Sequence, residues 1–362
     1  MLKAMKTRKS ITMTNESIAQ IDKANMFKLL REFPAQVAEA LKIGEAADVR
    51  MRVTGVKNIV VCGLGGSAIG GDLLKSYCAG EIGVPIIVNR HYTLPGFVGP
   101  DTLVIISSYS GNTEETNTAH REAIKRKARI LCISSNGITE QLARKTKSPI
   151  IKVPGGLPPR AAVGYSFFPL LLALIKLGFI KSRPKDIKET VTLLQSKAAV
   201  YTSPDPAENP ALALAQELKN RVVISYSSTE RFDAINTRWR GQIAENAKSL
   251  AFGHVLPEMN HNELVGWKVL TEPMAEMHVV FLRDREDHPR VQIRMNITKG
   301  IIARQTEHCT EVWSEGKALL ARMFMLLYLG DWVSYYMAIL HEEDPTPVAV
   351  INHLKTEMGK VQ

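Results

Sequence analysis

NIVVCGLGGSAIG at Asn58–Gly70 and LVIISSYSGNT at Leu103–Thr113 decide the fold. Each opens with a short apolar run, Asn58–Cys62 and Leu103–Ile106, that reads as a buried strand. Each run enters a turn rich in glycine or serine, GLGGS at Gly63–Ser67 and SSYSGNT at Ser107–Thr113, and a helical pattern follows. A strand feeding such a turn into a helix N-terminus makes an anion site: glycines let the backbone approach, amide hydrogens point outward and hydroxyls add donors. One turn of this kind is often only tight packing. Two on consecutive strands of one sheet can converge on a single phosphate. Neither is a standard nucleotide loop. The first lacks the Gly-Lys-Ser/Thr ending of a P-loop, and Asn89 and Arg90 stand where a dinucleotide fold needs an acidic ribose partner. Hydroxyl donors suit a compact phosphate monoester such as that of a sugar.

Outward from these turns, strands and helices alternate. Strands are expected at Asn58–Cys62, Pro85–Val88, Leu103–Ser107, Arg129–Ile133 and Ile150–Val153, with helices at Ser67–Ala79, Thr113–Arg126, Thr139–Lys145 and Tyr165–Leu177. That order predicts a parallel sheet covered on both faces. Residues Asn15–Ala47 read as helical. After the two prolines of Pro204–Asn209 a second alternation begins with RVVISYS at Arg221–Ser227, again a strand running into serines. Helices are expected at Phe232–Lys248, Lys317–His341 and Val348–Met358, and strands near Ser249–Phe252, His278–Leu282 and Arg290–Arg294. The fold class is therefore α/β, with two doubly wound parallel-sheet domains in tandem. The expected boundaries are an N-terminal helical segment over 1–47, a first domain over 48–200, a second over 205–345 and a C-terminal helix over 346–362.

A length of 362 residues accommodates two such units, and 45% apolar with 23% charged residues is the balance of a soluble globular chain. The formal charge of +10 suits an anionic ligand. No basic run is interleaved with aromatics and no zinc-finger or helix-turn-helix spacing occurs, which argues against nucleic acid. Cys62, Cys78, Cys132 and Cys309 form no CxxC pair, so reduced thiols and a cytoplasmic location are expected. The stretch Met1–Thr14 is basic but has no apolar core of the kind a secretory signal needs; Met5 and Met13 leave the natural start open. Ala161–Ile180 is strongly apolar yet holds Pro169 and Lys176, so a buried helix is expected and no membrane partner.

The densest polar cluster runs from Arg238 to Glu263. On a helix through Phe232–Lys248, Ile235, Trp239, Ile243 and Ala247 form an apolar stripe, and Arg238 and Glu245 fall to one flank. A lone Glu there reads as a solvated carboxylate; the following loop, PEMNHNE at Pro257–Glu263, is what raises a functional reading. His254, Glu258, His261 and Glu263 are metal-ligand types, but their spacing matches no zinc pattern, so no metal is expected. Glu245 with His261 suits proton transfer, the carboxylate beside a carbonyl and the imidazole at a sugar ring oxygen. A cation must stabilise the enediolate between those steps. Arg160, in GGLPPR at Gly155–Arg160, follows the first unit's last strand, where such sites assemble. Read alone it is equally a surface arginine.

SSYSGNT with GLGGS resembles the phosphate-binding turns of sugar isomerase (SIS) domains. Two such units together with Arg160 in PPR, Glu245 in ENAK and His261 in MNHNE resemble the bifunctional phosphoglucose/phosphomannose isomerases, from about Asp22 to the terminal helix. The resemblance implies that Gly66, Ser67, Ser108, Ser110 and Thr113 hold the substrate phosphate. It implies that Glu245 shuttles a proton between carbon-1 and carbon-2, that Arg160 stabilises the enediolate, and that His261 reaches the site from the partner subunit of a homodimer. Lys355 in INHLK matches a lysine that assists ring opening. The expected reaction is aldose–ketose isomerisation of a phosphorylated hexose, without cofactor. The sequence departs from the family where a hydroxyl or amide can precede that lysine: Pro345–Val348 stands there, with Thr346 and Val348 the nearest residues. A different SIS sugar-phosphate isomerase and a phosphosugar-sensing regulator are the competing readings.

Overall fold

The computed structural model describes residues 15–360. The expectations for Met1–Thr14 lie outside these residues. Helices α1 (Asn15–Ile21), α2 (Met26–Arg31) and α3 (Phe33–Ala46) come first. Then follow β1 (Asn58–Cys62), α4 (Gly65–Cys78), β2 (Ile86–Asn89), β3 (Thr102–Ser108), α5 (Glu114–Lys125), β4 (Arg129–Ser134), α6 (Gly137–Thr146), β5 (Ile150–Lys152), α7 (Val163–Lys176) and α8 (Pro184–Tyr201). The rest of the chain forms α9 (Pro210–Leu218), β6 (Val222–Ser228), α10 (Asp233–Ala247), β7 (Ala251–Leu256), α11 (Thr271–Ala275), β8 (Met277–Arg283), α12 (Pro289–Ile302), β9 (Cys309–Trp313), α13 (Leu319–Leu340) and α14 (Ala349–Met358).

The result is an α/β fold with two parallel sheets. One has five strands in the order β2-β1-β3-β4-β5, the other four in the order β7-β6-β8-β9. Every pairing is parallel, and in both sheets the first strand of the unit sits inside with the second on its outer flank. β1 and β3 are buried along nearly their whole length, as strands covered on both faces must be.

Three local expectations need correction. RVQIR at Arg290–Arg294 alternates like a strand but lies in α12, because Pro289 occupies the first turn and the His288 ring accepts a hydrogen bond from the Arg290 amide at 3.1 Å. Of its two apolar residues, Val291 is half-buried and Ile293 exposed on that helix. The fourth strand of the second sheet is instead β9, and α9 precedes β6, capped by the Asn209 side chain. β7 also starts and ends later than Ser249–Phe252.

α13 is the axis of the molecule. It packs on α8, α9 and α10, and its Tyr328 and Tyr335 hydroxyls reach back to the Leu30 carbonyl at 2.7 Å and the Asp22 carboxylate at 3.2 Å. By length and hydropathy alone α13 could cross a membrane, yet 94% of its apolar window is buried inside the protein, so it is a core helix. α7, formed by the strongly apolar stretch around Pro169, is likewise buried along its length; its Phe167 and Phe168 rings each lie 4.8 Å from that of Phe324.

The tightest joint is α10 against α13. The Trp239 indole N–H donates to the Leu326 carbonyl at 2.8 Å, and a Cβ at Gly330 would stand 2.2 Å from that nitrogen. Gly330→Ala should therefore push the helices apart and cost about 1–3 kcal/mol, read as a lowered thermal midpoint.

His120, on α5, supplies a second check. Its ring is buried beside Cys132 with Nδ1 unpartnered, and loss of solvent pushes its pKa down to about 4, helped by Arg121. The folded state thus holds a neutral ring where the unfolded chain, titrating near 6.5, holds an imidazolium. Its contribution is fully present above about pH 6.5 and is lost as the pH falls towards 4. His120→Leu should flatten the thermal midpoint across that window, by up to ~3 kcal/mol.

Candidate active site

The two Gly/Ser turns meet at the C-terminal edge of the first sheet. The Tyr109 amide donates to Ser67 Oγ at 3.0 Å, and Ser107 Oγ donates to the Ser67 carbonyl at 3.3 Å. Ser67 and Ser108 are buried; Ser108 Oγ donates to Thr113 Oγ1 at 3.2 Å, just before α5 begins. Ser110 is exposed at the lip, its hydroxyl accepting from the Asn112 amide at 3.3 Å. The five residues expected around a phosphate are thus brought together at the N-termini of α4 and α5. Gly66 has an additional role: a Cβ there would lie 2.4 Å from the Pro159 carbonyl oxygen. Its absence lets the turn that carries Arg160 close over α4.

That closure forms one side of a cleft of about 160 Å³, lined by Gly65, Gly66, Ile69, Arg90 and Arg160 on one wall and by Thr237, Arg238, Gly241, Gln242 and Glu245 of α10 on the other. The expected stripe of Ile235, Trp239, Ile243 and Ala247 is buried, which turns Arg238 and Glu245 to the cleft. Arg160 sits in a short 3-10 turn, Pro159–Ala161, and is only 5% exposed. Its Nη1 lies 3.3 Å from Glu245 Oε2, and its Nη2 donates to the carbonyls of Pro345 at 2.6 Å and Thr346 at 2.8 Å. It is no surface arginine. Burial draws its pKa down, opposed by Glu245, but a guanidinium stays charged from so high a starting value. Arg90, ion-paired with Asp72, and Arg238 add to the positive lining.

Glu245 also borders a second, more apolar cavity of about 550 Å³, shared with Lys248, Leu250, Pro347, Val348 and Ile351. Lys248 Nζ donates to the Glu245 carbonyl at 2.7 Å and the Pro345 carbonyl at 3.2 Å, tying the end of α10 to the segment before α14. Partial burial, with Arg160 nearby, lowers the Lys248 pKa.

A single chain does not bring His261 or Lys355 to Glu245. His261 is exposed on the 3-10 turn Glu258–His261, lines neither cavity, and its side chain makes no hydrogen bond among the described residues. Its neighbours in PEMNHNE are occupied structurally: Asn260 donates to Thr298, Asn262 to Glu258, and Glu263 accepts from the Tyr226 hydroxyl. Lys355 lies on α14, exposed throughout, whose first turn borders the apolar cavity. Among the described residues no group of three or more His, Cys, Asp or Glu side chains is arranged to hold a metal ion. Arg90, Thr237 and Gln242 line the cleft without having been singled out as site residues. The helical spacing of Thr237, Gly241 and Gln242 beside Arg238 and Glu245 was the available clue.

Ser67 and Ser110 separate what is built in from what is presented. Ser67→Ala leaves the Tyr109 amide without its acceptor and should cost about 1–3 kcal/mol, whereas Ser110→Ala should stay within about 0.5 kcal/mol. Thermal midpoints of the two variants, measured side by side, check this.

Known proteins similar to this chain show its family. A family model described as the bacterial phospho-glucose isomerase C-terminal SIS domain matches residues 207–358. The bifunctional phosphoglucose/phosphomannose isomerase of Caldicellulosiruptor bescii is 42% identical over 338 residues, 93% of this chain and 100% of the relative. The protein of that name from Aquifex aeolicus is 37% identical over 319 residues, 87% of this chain and 95% of the relative. Among solved structures, a hypothetical protein from Thermus thermophilus superposes with a TM-score of 0.71 at 15% identity, covering 96% of this chain and 93% of that one, a likeness of fold. The chain belongs to the SIS-domain family that contains the bifunctional phosphoglucose/phosphomannose isomerases.

Proposed function

We propose that the protein interconverts glucose 6-phosphate or mannose 6-phosphate with fructose 6-phosphate through a cis-enediolate, with no metal or cofactor. The observation that carries this reading is the contact of Glu245 with Arg160, 3.3 Å apart in a cleft whose near wall includes Gly65 and Gly66 of the first glycine turn. The phosphate is held by the backbone and hydroxyls of Gly66, Ser67, Ser108, Ser110 and Thr113. The Glu245 carboxylate removes the proton from carbon-2 of the open-chain aldose and returns it to carbon-1; the reverse transfer runs the reaction backwards. The charge that appears on the enediolate oxygens between those steps is met by the Arg160 guanidinium, already in place and shielded from water. Glucose and mannose 6-phosphate differ only at carbon-2 and share this intermediate, so one base serves both.

Ring opening is assigned to His261 and Lys355, supplied to each site from within a homodimer. Val350 and Leu354 on α14 are 82% and 60% exposed, and Leu250 and Phe252, at the outer strand of the second sheet, are 69% and 52% exposed. A second copy would cover this apolar surface and carry His261 towards Glu245. The domain reading is two tandem SIS units, 48–200 and 205–345, acting as one cytoplasmic enzyme.

Isomerisation of both hexose phosphates is measured on protein treated with EDTA, beside Glu245→Gln. Turnover of both epimers by the parent, reduced about a thousandfold by the substitution, is the expected result. A folded dimer that binds hexose phosphate but turns over neither would instead be a sensor, and turnover of a different sugar phosphate would keep the chemistry and change the substrate.

A further inference from the structure

Arg160 is gripped from more sides than its charge alone requires. Its Nε donates to Asn246 Oδ1 at 2.6 Å. The Asn246 amide in turn donates to Ser334 Oγ on α13 at 2.9 Å, and Ser334 Oγ donates to the Asp331 carbonyl at 2.7 Å. The backbone of Arg160 is tied to the same helix: Arg238 Nη2 donates to the Arg160 carbonyl at 2.8 Å while its Nε and Nη2 donate to the Asp331 carboxylate at 2.9 and 2.7 Å. Gln242 completes the carboxylate's shell at 2.8 Å. Asn246, Ser334, Asp331 and Arg238 are all at least nine-tenths buried.

An apolar set of the same shape would pack these helices at least as stably, since buried charges return little net stability. The polar groups have something else in common: they converge on Arg160. Asn246 occupies the Nε edge and the Pro345 and Thr346 carbonyls occupy Nη2, so the Nη1 edge is the one left facing Glu245 and the cleft. We propose that Asn246, anchored through Ser334 to α13, is a positioning residue that fixes the rotation of the Arg160 guanidinium, so that its Nη1 edge meets the enediolate. This rests on the isomerase reading above and deepens it. The hydroxyls of the phosphate turns belong to other elements and bond to none of the relay's side chains.

The relay predicts a split between ground state and intermediate. Asn246→Ala should lower kcat by about a hundredfold, the penalty for a catalytic group misplaced by roughly an ångström, with KM nearly unchanged. Calorimetry gives a readout without turnover. A phosphorylated aldonate, whose planar carboxylate imitates the enediolate, should bind the variant at least tenfold more weakly than it binds the parent. A hexitol 6-phosphate, which lacks that anion, should bind both equally. In an Arg160→Lys background, which has no Nε–H for Asn246 to accept, Asn246→Ala should add nothing further. Ser334→Ala, which removes only the anchor of Asn246, should show the same split in weaker form, and it serves if Asn246→Ala does not fold. Equal loss of both ligands, no loss of either, or additive effects in the Arg160→Lys background would overturn the inference while a turning-over parent leaves the isomerase reading intact. A parent that neither isomerises hexose phosphate nor prefers the aldonate over the hexitol overturns both together.

Discussion

The approach of α10 to α13 is the constraint on which the site depends. Two devices hold it. Trp239 inserts against the backbone where Gly330 has no side chain, and one residue later Asp331 accepts from Arg238 and Gln242 across the same seam. The first sets the distance between the helices; the second sets their register, because a bidentate arginine–carboxylate pair tolerates little sliding. With α10 so fixed, its flank lines the cleft with Arg238, Gln242 and Glu245, opposite Gly65, Gly66 and Ile69 of the first unit.

The two units are wound alike but have diverged where each sheet ends. In the first, β3 delivers hydroxyls and glycine, and the ends of β1 and β3 form a cradle lined by donors. In the second, the serines that follow β6 face inward: Ser227 Oγ donates to the Phe232 carbonyl and Ser228 Oγ to Asp287. The end of β8 carries acidic residues instead, with Asp284 and Glu286 held by Arg322 from α13. Burial there raises the Asp287 pKa. A strand running into serines therefore ends among different partners in the two units. In the proposed isomerase the first unit contributes the cradle and the second the carboxylate.

Much of this was legible from residue patterns. The first sheet's strands fall close to where the apolar runs put them, because fully buried parallel strands are continuous in hydrophobicity and bounded by turn residues. The flank of α10 was legible from helical spacing around its apolar stripe. RVQIR misled because Val291 and Ile293, off the core on a helix, mimic strand alternation over five residues, and only the Pro289 start and His288 cap argue otherwise. CTEVW in β9 is half-buried with an exposed final tryptophan, so its pattern is faint. The relay behind Arg160 was hidden for a different reason: Arg238, Gln242 and Asn246 share one face of α10, and Asp331 and Ser334 one face of α13, but spacing within each helix does not say that these two faces, far apart in the chain, meet. One sign was present, an aspartate alone in the middle of a 22-residue apolar helix. A buried charge needs a partner, and the partner here is Arg238.

α13 is also a matter of timing. It supplies the wall against which α8, α9 and α10 pack and the tyrosines that tie down Asp22 and Leu30, yet it is made after every described strand. A chain emerging from the ribosome holds its first sheet complete, with α7 able to cover one face, long before that wall arrives. The N-terminal turn around Asp22 and the second sheet wait on a single late helix. Until α13 emerges, the nascent chain exposes the apolar faces that this helix will cover, the interval in which a chaperone has most to do.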